Sequence, residues 1–454
     1  MKSSFQILSL AHRRWALYTV VTGGLLALSI ARLDAQIAAA PASTDSLPVV
    51  RIDSLLDLPT VVARTLAVSP VVRQAEAGVS TARSGGRVAN GAYLPTLSAN
   101  STALRSDVLT STQPGAVSGN SYSAGLSSSL EVFTGGRRVA DLQRARADVQ
   151  AAEATDVSQR YQTTLVAERA FYEVLRGGDL LTVAEARVAR AERGLRFAQD
   201  RVRAGTATKS DQLRARLELT TGRQQSIAAR DTLQTAAYAL GRLVGTDGPI
   251  GAQRPASLDP HALALTDSEV IRLAVASAPS VQATEAASRA ADAAVRSSRS
   301  SYLPDVRLGG GYNWANQTSV LGAVRPGWQL ALATSFPLFN GFQREDAVTR
   351  SLAIADVSRV TALDATRQVR TEASRLLSAL RFAERNIALA AEAVAAAQED
   401  LRVQTQRYRA GIATALDRQS SEFAVTQAEL GLVAARYNYQ VTRATLEALI
   451  GRTL

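Results

Sequence analysis

The chain has 454 residues, of which 46% are hydrophobic and only 5% aromatic, and its formal net charge at pH 7 is +11. It contains no cysteine, which excludes disulfide bonds and thiolate metal sites. The positive charge does not indicate nucleic-acid binding, because the arginines are interleaved with acidic residues along helical segments such as 187–193, without an aromatic-basic platform. We interpret these arginines as solvated faces of long helices.

The N-terminus has the features of a secretory signal peptide. Two adjacent arginines precede an apolar run, Trp15–Ile30, and small residues near Ala35 provide a cleavage site. A membrane anchor is the alternative, but the run is short for a membrane span and two glycines interrupt it. We expect residues 1–35 to be removed and residues 36–50 to form an N-terminal spacer of the exported chain.

The rest of the chain is a tandem duplication. The segment Arg201–Asp211 aligns without gaps on Arg407–Asp417 and keeps an Arg-X-Arg-Ala-Gly start. We assign residues 51–245 to repeat 1, residues 246–260 to a linker and residues 261–454 to repeat 2. Three further landmarks recur in the same order in both repeats: Tyr93-Leu94-Pro95 and Tyr302-Leu303-Pro304, Phe133-Thr134-Gly135 and Phe339-Asn340-Gly341, Leu243-Val244-Gly245 and Leu449-Ile450-Gly451.

After each Tyr-Leu-Pro landmark the apolar pattern changes to a period of two, which predicts strands. Apolar side chains alternate with small or polar ones over residues 122–132, 305–314 and 328–338. Each run is long enough to cross a hydrocarbon layer, and its face of Gly and Ser residues is typical of a channel lumen. The alternative is an ordinary antiparallel sheet that packs on the helices. Four strands cannot close a barrel and open edges are not stable in lipid, so membrane insertion requires several chains; three chains give twelve strands.

The second half of each repeat predicts a long helical hairpin. Arg137–Val202 contains no proline, and its apolar residues recur at intervals of three and four. About 65 residues at 1.5 Å each give a helix roughly 100 Å long. We expect Gly177 and Gly178 to permit local bending of this helix. Ala-Gly breaks at Gly205 and Gly411 then end the long helices, and a return helix follows each break.

Together these features resemble the TolC-like outer-membrane efflux proteins (outer-membrane factors) of Gram-negative efflux and secretion systems. The resemblance covers essentially the whole mature chain and rests on the ordered landmarks together with the run Ala170–Leu175. It implies a mainly α fold with membrane β-strands, in which a homotrimer forms a 12-stranded β-barrel continuous with a periplasmic α-helical barrel. The implied function is that of an outer-membrane channel surrounded by outer-membrane lipid, with the helical barrel in the periplasm. It would conduct substrates from a periplasmic adaptor (membrane fusion) protein and an inner-membrane transporter to the exterior, in efflux or type I secretion.

The resemblance also implies a docking surface for the adaptor at the two hairpin tips. Small residues suit this role because a partner backbone must approach closely. A helix-hairpin turn without a partner is the alternative, although it does not require both tips to keep the same Ala-Thr pair after the glycine. The matching positions are Ala204, Gly205, Thr206, Ala207, Thr208, Ala410, Gly411, Ile412, Ala413 and Thr414.

A periplasmic constriction is implied close to the tips. Asp211 and Asp417 match aspartates of the constriction, with helix capping as the alternative. Tyr408 matches a gate tyrosine, with an ordinary helix-packing residue as the alternative. The chain departs from the family pattern at Ala413 and Ser420, where some related chains have a gate arginine and a second acidic residue.

Catalytic chemistry is not indicated by the sequence. The histidines are His12, in the expected signal peptide, and His261, so we expect no histidine-based catalytic dyad, no metal site and no cofactor. Phosphate-binding and dinucleotide-binding glycine motifs are also missing. The rival to a channel is a periplasmic coiled-coil scaffold or adaptor that does not span the membrane. A single adaptor hairpin would not require duplicated, two-faced strand pairs, which favours the channel.

Overall fold

The computed structural model describes residues 54–109, 116–260, 263, 265–317 and 326–454. All of them belong to one compact unit, Val50–Leu454. The expected signal peptide, the spacer and His261 lie outside the described residues.

Helices dominate the described residues, and each repeat contributes four of them. The helices are α1 Leu58–Val68, α2 Pro70–Gly91, α3 Arg137–Arg203, α4 Lys209–Leu243, α5 Asp267–Ser277, α6 Pro279–Arg299, α7 Gln343–Arg409 and α8 Ala415–Ile450, with a short 3-10 helix at Ser300–Tyr302. Proline opens α2 and α6, where its missing N–H costs no hydrogen bond. Across the described residues, we find no helix that is both long and apolar enough to cross a membrane.

Short and long strands alternate with these helices. The strands are β1 Leu55–Leu56, β2 Thr96–Leu109, β3 Ala116–Thr134, β4 Gly251–Ala252, β5 Asp305–Gln317 and β6 Gly327–Ser335. Strands β1 and β4 form a small parallel pair. The other four form an antiparallel sheet in the order β2–β3–β5–β6, so that the second strand of repeat 1 pairs with the first strand of repeat 2.

The register of this sheet confirms the predicted alternation of apolar and polar faces. Leu130, Leu308 and Leu332 are cross-strand neighbours on one face. Ser127 and Gly311 are neighbours on the opposite face. Because successive side chains of a strand point to opposite faces, one face of the sheet is apolar and the other is lined by small and polar residues.

At two strand ends the predicted alternation is wrong. A β-bulge at Val132 interrupts the register between β3 and β5, so that Phe133, and not Val132, lies opposite Val306. Strand β6 ends at Ser335, so the predicted continuation to Leu338 is also wrong. Pro337 has no N–H with which to continue the hydrogen-bonded ladder.

The two long helices have the predicted length, and α3 passes through Gly177 and Gly178 without a break. Helix α3 is continuous over 67 residues, which corresponds to about 100 Å at 1.5 Å per residue. Gly177 is buried inside it, and a Cβ added to Gly177 would lie 3.1 Å from the Cα of Leu233 on α4. The glycine therefore allows α3 and α4 to approach closely, and the helix does not break there.

Each repeat has its own apolar core, formed where its short first helix packs against the two helices of its hairpin. In repeat 1, Val61, Phe171 and Leu240 bring α1, α3 and α4 together. In repeat 2, α5, α7 and α8 form an equivalent core. The buried Tyr437 of α8 joins the repeat 1 core, and its hydroxyl donates a hydrogen bond to Asp179 Oδ2 at 2.8 Å. The two repeats are thus packed into one body.

Candidate functional site

The tip of the first hairpin is a tight, hydrogen-bonded turn. The amide of Gly205 donates to the carbonyl of Val202 at 3.1 Å, and the amide of Thr206 donates to the carbonyl of Arg201 at 2.9 Å. This pair of bonds is a Schellman motif, which satisfies the last carbonyls of α3. Gly205 has φ +74°, a conformation that glycine adopts without strain.

The tip of the second hairpin repeats this geometry. The amides of Gly411 and Ile412 donate to the carbonyls of Tyr408 and Arg407 at 3.2 and 3.0 Å. Gly411 has φ +82°, and a Cβ added to Gly205 or Gly411 would meet no atom within 4 Å. Both glycines therefore face open space.

The surface of both tips is small and accessible. Of the ten residues predicted for docking, Ala207 and Ala413 are partly buried and the other eight are exposed. The side chain of Ile412 is 68% exposed, and Leu416 on the first turn of α8 is 63% exposed. The structure thus brings the ten residues to two matching ends, with apolar side chains beside them.

Capping boxes start the two return helices. The amide of Thr208 donates to Asp211 Oδ2 at 3.0 Å, and the amide of Asp211 donates to Thr208 Oγ1 at 3.2 Å. Thr414 and Asp417 exchange the same two bonds at 2.8 and 3.2 Å. The backbone N–H of the capping threonine is the main cause that lowers the pKa of each aspartate below its usual value. Both carboxylates are therefore ionised and fixed near the tips.

Tyr408 lies buried between the two hairpins. The guanidinium of Arg201 on α3 stacks over its ring, 4.7 Å from the centroid, and that of Arg418 on α8 lies 5.6 Å from it. Arg201 Nη1 also donates to the carbonyl of Tyr408 at 3.2 Å. Cation–π stacking and this hydrogen bond together hold the end of α7 against α3.

Arg418 is a site residue that the sequence analysis missed. It forms a largely buried ion pair with Glu422 on the same helix. A Cβ added to Gly194 of α3 would lie 2.6 Å from Arg418 Nη2, so the glycine makes room for the guanidinium. Burial is the main cause that raises the pKa of Glu422, and the neighbouring Glu218 raises it further.

The interpretation of the helix arginines as solvated is wrong for two of them. The side chains of Arg187 and Arg190 are only 13% and 14% exposed. Arg187 pairs with Glu218 of α4 at 2.7 Å, and Arg190 pairs with Glu429 of α8 at 3.0 Å. The second pair joins repeat 1 to repeat 2. The sequence signal was the position of these arginines on the packed side of α3, between the buried residues of that helix.

In the part of the chain that the structure describes, no three acidic or histidine side chains come together to hold a metal ion. The candidate site consists of the two hairpin tips and the buried ion pairs of Arg187, Arg190 and Arg418 on the helices that lead to them.

Comparison of the sequence with protein families adds a decisive observation. The family described as Outer membrane efflux protein matches this chain twice, over residues 61–246 and 270–452. The chain belongs to the outer membrane efflux protein family. The double match confirms the tandem duplication and the predicted membership of the TolC-like efflux proteins. Proteins of this family are efflux channels of the outer membrane and not enzymes.

Solved structures support the family fold. The chain is similar to CusC, a protein studied for transmembrane channel formation, with a TM-score of 0.78 at 19% identity over 87% of this chain and 92% of CusC. The outer membrane protein VceC from Vibrio cholerae gives a TM-score of 0.74 at 21% identity over 87% and 96% of the two chains. The Neisseria gonorrhoeae MtrE outer membrane channel, in its open state, gives a TM-score of 0.72 at 20% identity over 87% of this chain and 89% of MtrE. A comparison with curated proteins gives no significant match.

Proposed function

We propose that this efflux protein is the outer-membrane channel of a tripartite efflux or type I secretion system. Three chains form one duct, with the four-stranded sheets in the outer membrane and the helical hairpins in the periplasm. Substrates pass from a periplasmic adaptor and an inner-membrane pump through the duct to the exterior.

The observation that carries this proposal is the exposed apolar face of the sheet. All nine residues of β6 are exposed, and Trp328, Leu330 and Leu332 on its apolar face are each more than two-thirds exposed. An apolar surface of this extent is unfavourable in water and favourable against lipid tails. It supports insertion of the strands into a membrane.

The open edges of the same sheet support a trimer. Strands β2 and β6 are the outer strands in the order β2–β3–β5–β6. Unpaired backbone groups are not tolerated in a hydrocarbon layer, and the smallest closed membrane barrels have about eight strands. Three copies of the sheet supply twelve strands and leave no open edge.

The hairpin tips are the proposed docking surface for the adaptor. They are accessible, they carry glycines with open space on one side, and they have the same backbone in both repeats. Tyr408, Asp211 and Asp417 lie within a few residues of the tips, and we assign them to the constriction of the duct. In this assignment each aspartate caps a helix and contributes negative charge at once.

A periplasmic scaffold is the alternative, and cell fractionation separates the two functions. A channel requires outer-membrane-solubilising detergent for extraction, has the mass of three chains in mild detergent, and co-purifies with an adaptor and a pump. Release by osmotic shock, or a stable membrane-inserted monomer, would contradict the proposed channel.

A further inference from the structure

The two hairpin tips have the same backbone but carry different side chains. Their turns at Gly205 and Gly411 have matching hydrogen bonds and matching φ angles. At four positions beside the turn, the first tip has a polar or cationic residue where the second tip has an apolar or uncharged one. Thr206 corresponds to Ile412, Lys209 to Ala415, Ser210 to Leu416 and Arg214 to Ser420. One backbone therefore presents two chemically different surfaces.

The surface of the first tip is cationic. Lys209 and Arg214 are exposed, and neither forms an ion pair with another described residue. Lys209 Nζ donates to an uncharged partner, Gln212 Oε1, at 3.0 Å. Asp211, the acidic residue of this turn, accepts hydrogen bonds from the amide and the hydroxyl of Thr208. The two cations are thus available to a carboxylate from outside the chain.

The surface of the second tip is apolar. The side chains of Ile412 and Leu416 are exposed beside the turn. Arg418 follows on the first turns of α8, but it is largely buried and paired with Glu422. Exposed apolar side chains that adjoin an open glycine turn offer a surface that an apolar partner can cover.

The difference in charge extends over the first two turns of the return helices. The first eight residues of α4 carry three cations and one acid, whereas those of α8 carry one cation and two acids. Charged groups across an interface are arranged with opposite signs, and like charges that face one another are unfavourable. The same partner surface would therefore not suit both tips equally.

Leu213 of α4 is also exposed, but it lies on the side of the hairpin. The corresponding residue of α8 is Gln419, whose Nε2 donates to Glu218 Oε2 of α4 at 3.4 Å. This position therefore lies on the side of a return helix that faces a neighbouring hairpin, and not at the tip.

We propose that the first tip binds an acidic patch of the periplasmic adaptor through Lys209 and Arg214, and that the second tip binds an apolar patch through Ile412 and Leu416. This inference rests on the proposed docking of the adaptor at the tips and gives each tip its own partner surface. Attraction between exposed charges is screened by salt, whereas contact between apolar surfaces is not. The two contacts therefore differ in their salt dependence.

Affinity at two salt concentrations tests both contacts. The probe is the adaptor that co-purifies with the natural trimer, and its dissociation constant is measured at about 0.1 M and about 1 M salt, where the screening length is about 10 Å and 3 Å. Lys209→Ala with Arg214→Ser gives the first tip the residues of the second. It should weaken binding on the order of ten-fold at the lower salt concentration and little at the higher one.

The matched variant makes the reverse exchange at the second tip. Ile412→Thr with Leu416→Ser introduces the residues of the first tip and should weaken binding to a similar extent at both salt concentrations, because it removes apolar contact. The mass of each variant in mild detergent is measured first, so that only trimers are compared.

Carbodiimide coupling tests for the acidic partner directly. Lys209 is the only lysine among the described residues, and the other lysine, Lys2, belongs to the expected signal peptide. The reagent joins an amine to a carboxylate in contact with it, so the natural complex should give a covalent adduct of the adaptor at Lys209, which peptide mapping distinguishes from the N-terminal amine. Lys209→Ala with Ala415→Lys moves the lysine to the second tip and should give on the order of ten-fold less adduct, because an apolar patch offers no carboxylate.

The outcomes distinguish this inference from the proposed function. The same salt dependence in both double variants, or equal coupling from positions 209 and 415, would overturn the two partner surfaces and leave adaptor docking standing. A natural trimer that retains no adaptor would overturn both the inference and the proposed tripartite system.

Discussion

Arg83 on α2 and Glu153 on α3 form an ion pair that recurs in the second repeat with its charges exchanged. Arg83 Nη2 lies 2.7 Å from Glu153 Oε1. At the corresponding positions, Asp292 on α6 and Arg359 on α7 lie 3.3 Å apart. The duplication has kept the contact between these helices while reversing the sign of each partner, so the contact depends on complementarity and not on a particular residue.

This relationship predicts that the pair can be inverted. Arg83→Glu alone places two carboxylates together and should lower the melting temperature, whereas Arg83→Glu with Glu153→Arg should restore it. Exposed ion pairs contribute about 0.2–1 kcal/mol, so the coupling measured by a double-mutant cycle should lie in that range. The same exchange at Asp292 and Arg359 is the control. A zero coupling energy at both sites would contradict the prediction.

The second prediction concerns the apolar face of the sheet. Leu330→Arg or Leu332→Arg should cost about 2–4 kcal/mol near the middle of the bilayer, because the charge would face lipid. Ala331→Ser, on the opposite face, should leave the amount of assembled trimer unchanged. The yield of heat-sensitive trimer from the outer membrane measures both effects. Equal yields from the two faces would contradict the assigned orientation of β6.

The third prediction concerns docking at the tips. Gly205→Trp with Gly411→Trp should leave trimer formation intact and reduce export strongly, since the bulky rings fill the open space at both glycines. Gly205→Ala with Gly411→Ala is the matched control: it imposes backbone strain of about 1–2 kcal/mol per site without the bulk. Drug or protein export in a reconstituted system is the measurement. Full export by the tryptophan variant would show that the tips are turns only.

The fourth prediction separates the two roles of the constriction aspartates. Asp211→Asn with Asp417→Asn keeps an oxygen that accepts the capping hydrogen bond but removes both charges, so cation selectivity in a planar bilayer should fall while stability changes little. Thr208→Ala removes a cap, which costs about 1 kcal/mol, and should leave the selectivity unchanged. Unaltered selectivity in the double asparagine variant would remove these aspartates from the constriction.

The fifth prediction is a pH dependence of stability that originates at Glu168. Burial raises the pKa of Glu168 on α3 to about 7, and the carboxylate of Glu447 adds to the rise. The unfolded chain ionises this group at its ordinary value of 4.5, whereas the folded chain keeps the proton until about pH 7. Stability is therefore lost as the pH rises from about 4.5 to 7.

Glu168→Gln removes this loss. The variant should be more stable than the natural chain above pH 7, by about 1–2 kcal/mol after allowance for partial exposure, and equal to it near pH 4. Thermal unfolding in detergent at both pH values measures the difference. A constant stability difference at both pH values would contradict the assignment to Glu168.

The sequence was sufficient for the features that depend on local pattern. Alternation in the strands, the unbroken length of α3 and the Ala-Gly tips follow from side-chain period and from the conformational freedom of Gly205 and Gly411. The bulge at Val132 was not predictable, because it depends on how β3 meets β5. The close approaches at Gly177 and Gly194 were also missed, since a glycine in a helix gives no sign of which side chain lies opposite it.

The buried ion pair between the two repeats was also beyond prediction from the local sequence. Arg190 and Glu429 are 239 positions apart in the chain, and although the helical period places Arg190 on the packed side of α3, the local sequence gives no sign of its partner. Only the packing of α3 against α8 makes this pair buried. The predicted tip residues lie at the two hairpin turns, whereas the arginines that fix Tyr408 between the hairpins required the structure.

The buried pair of Arg190 with Glu429 has a consequence for how the helical end can widen. In the other repeat the corresponding positions are Ala396 on α7 and Arg223 on α4, which cannot form this ion pair. In the proposed trimer, this buried ion pair joins the two hairpins inside each chain, and the corresponding positions between chains lack it. We therefore expect the helical end to widen first at the contacts between chains, with each chain moving as one unit.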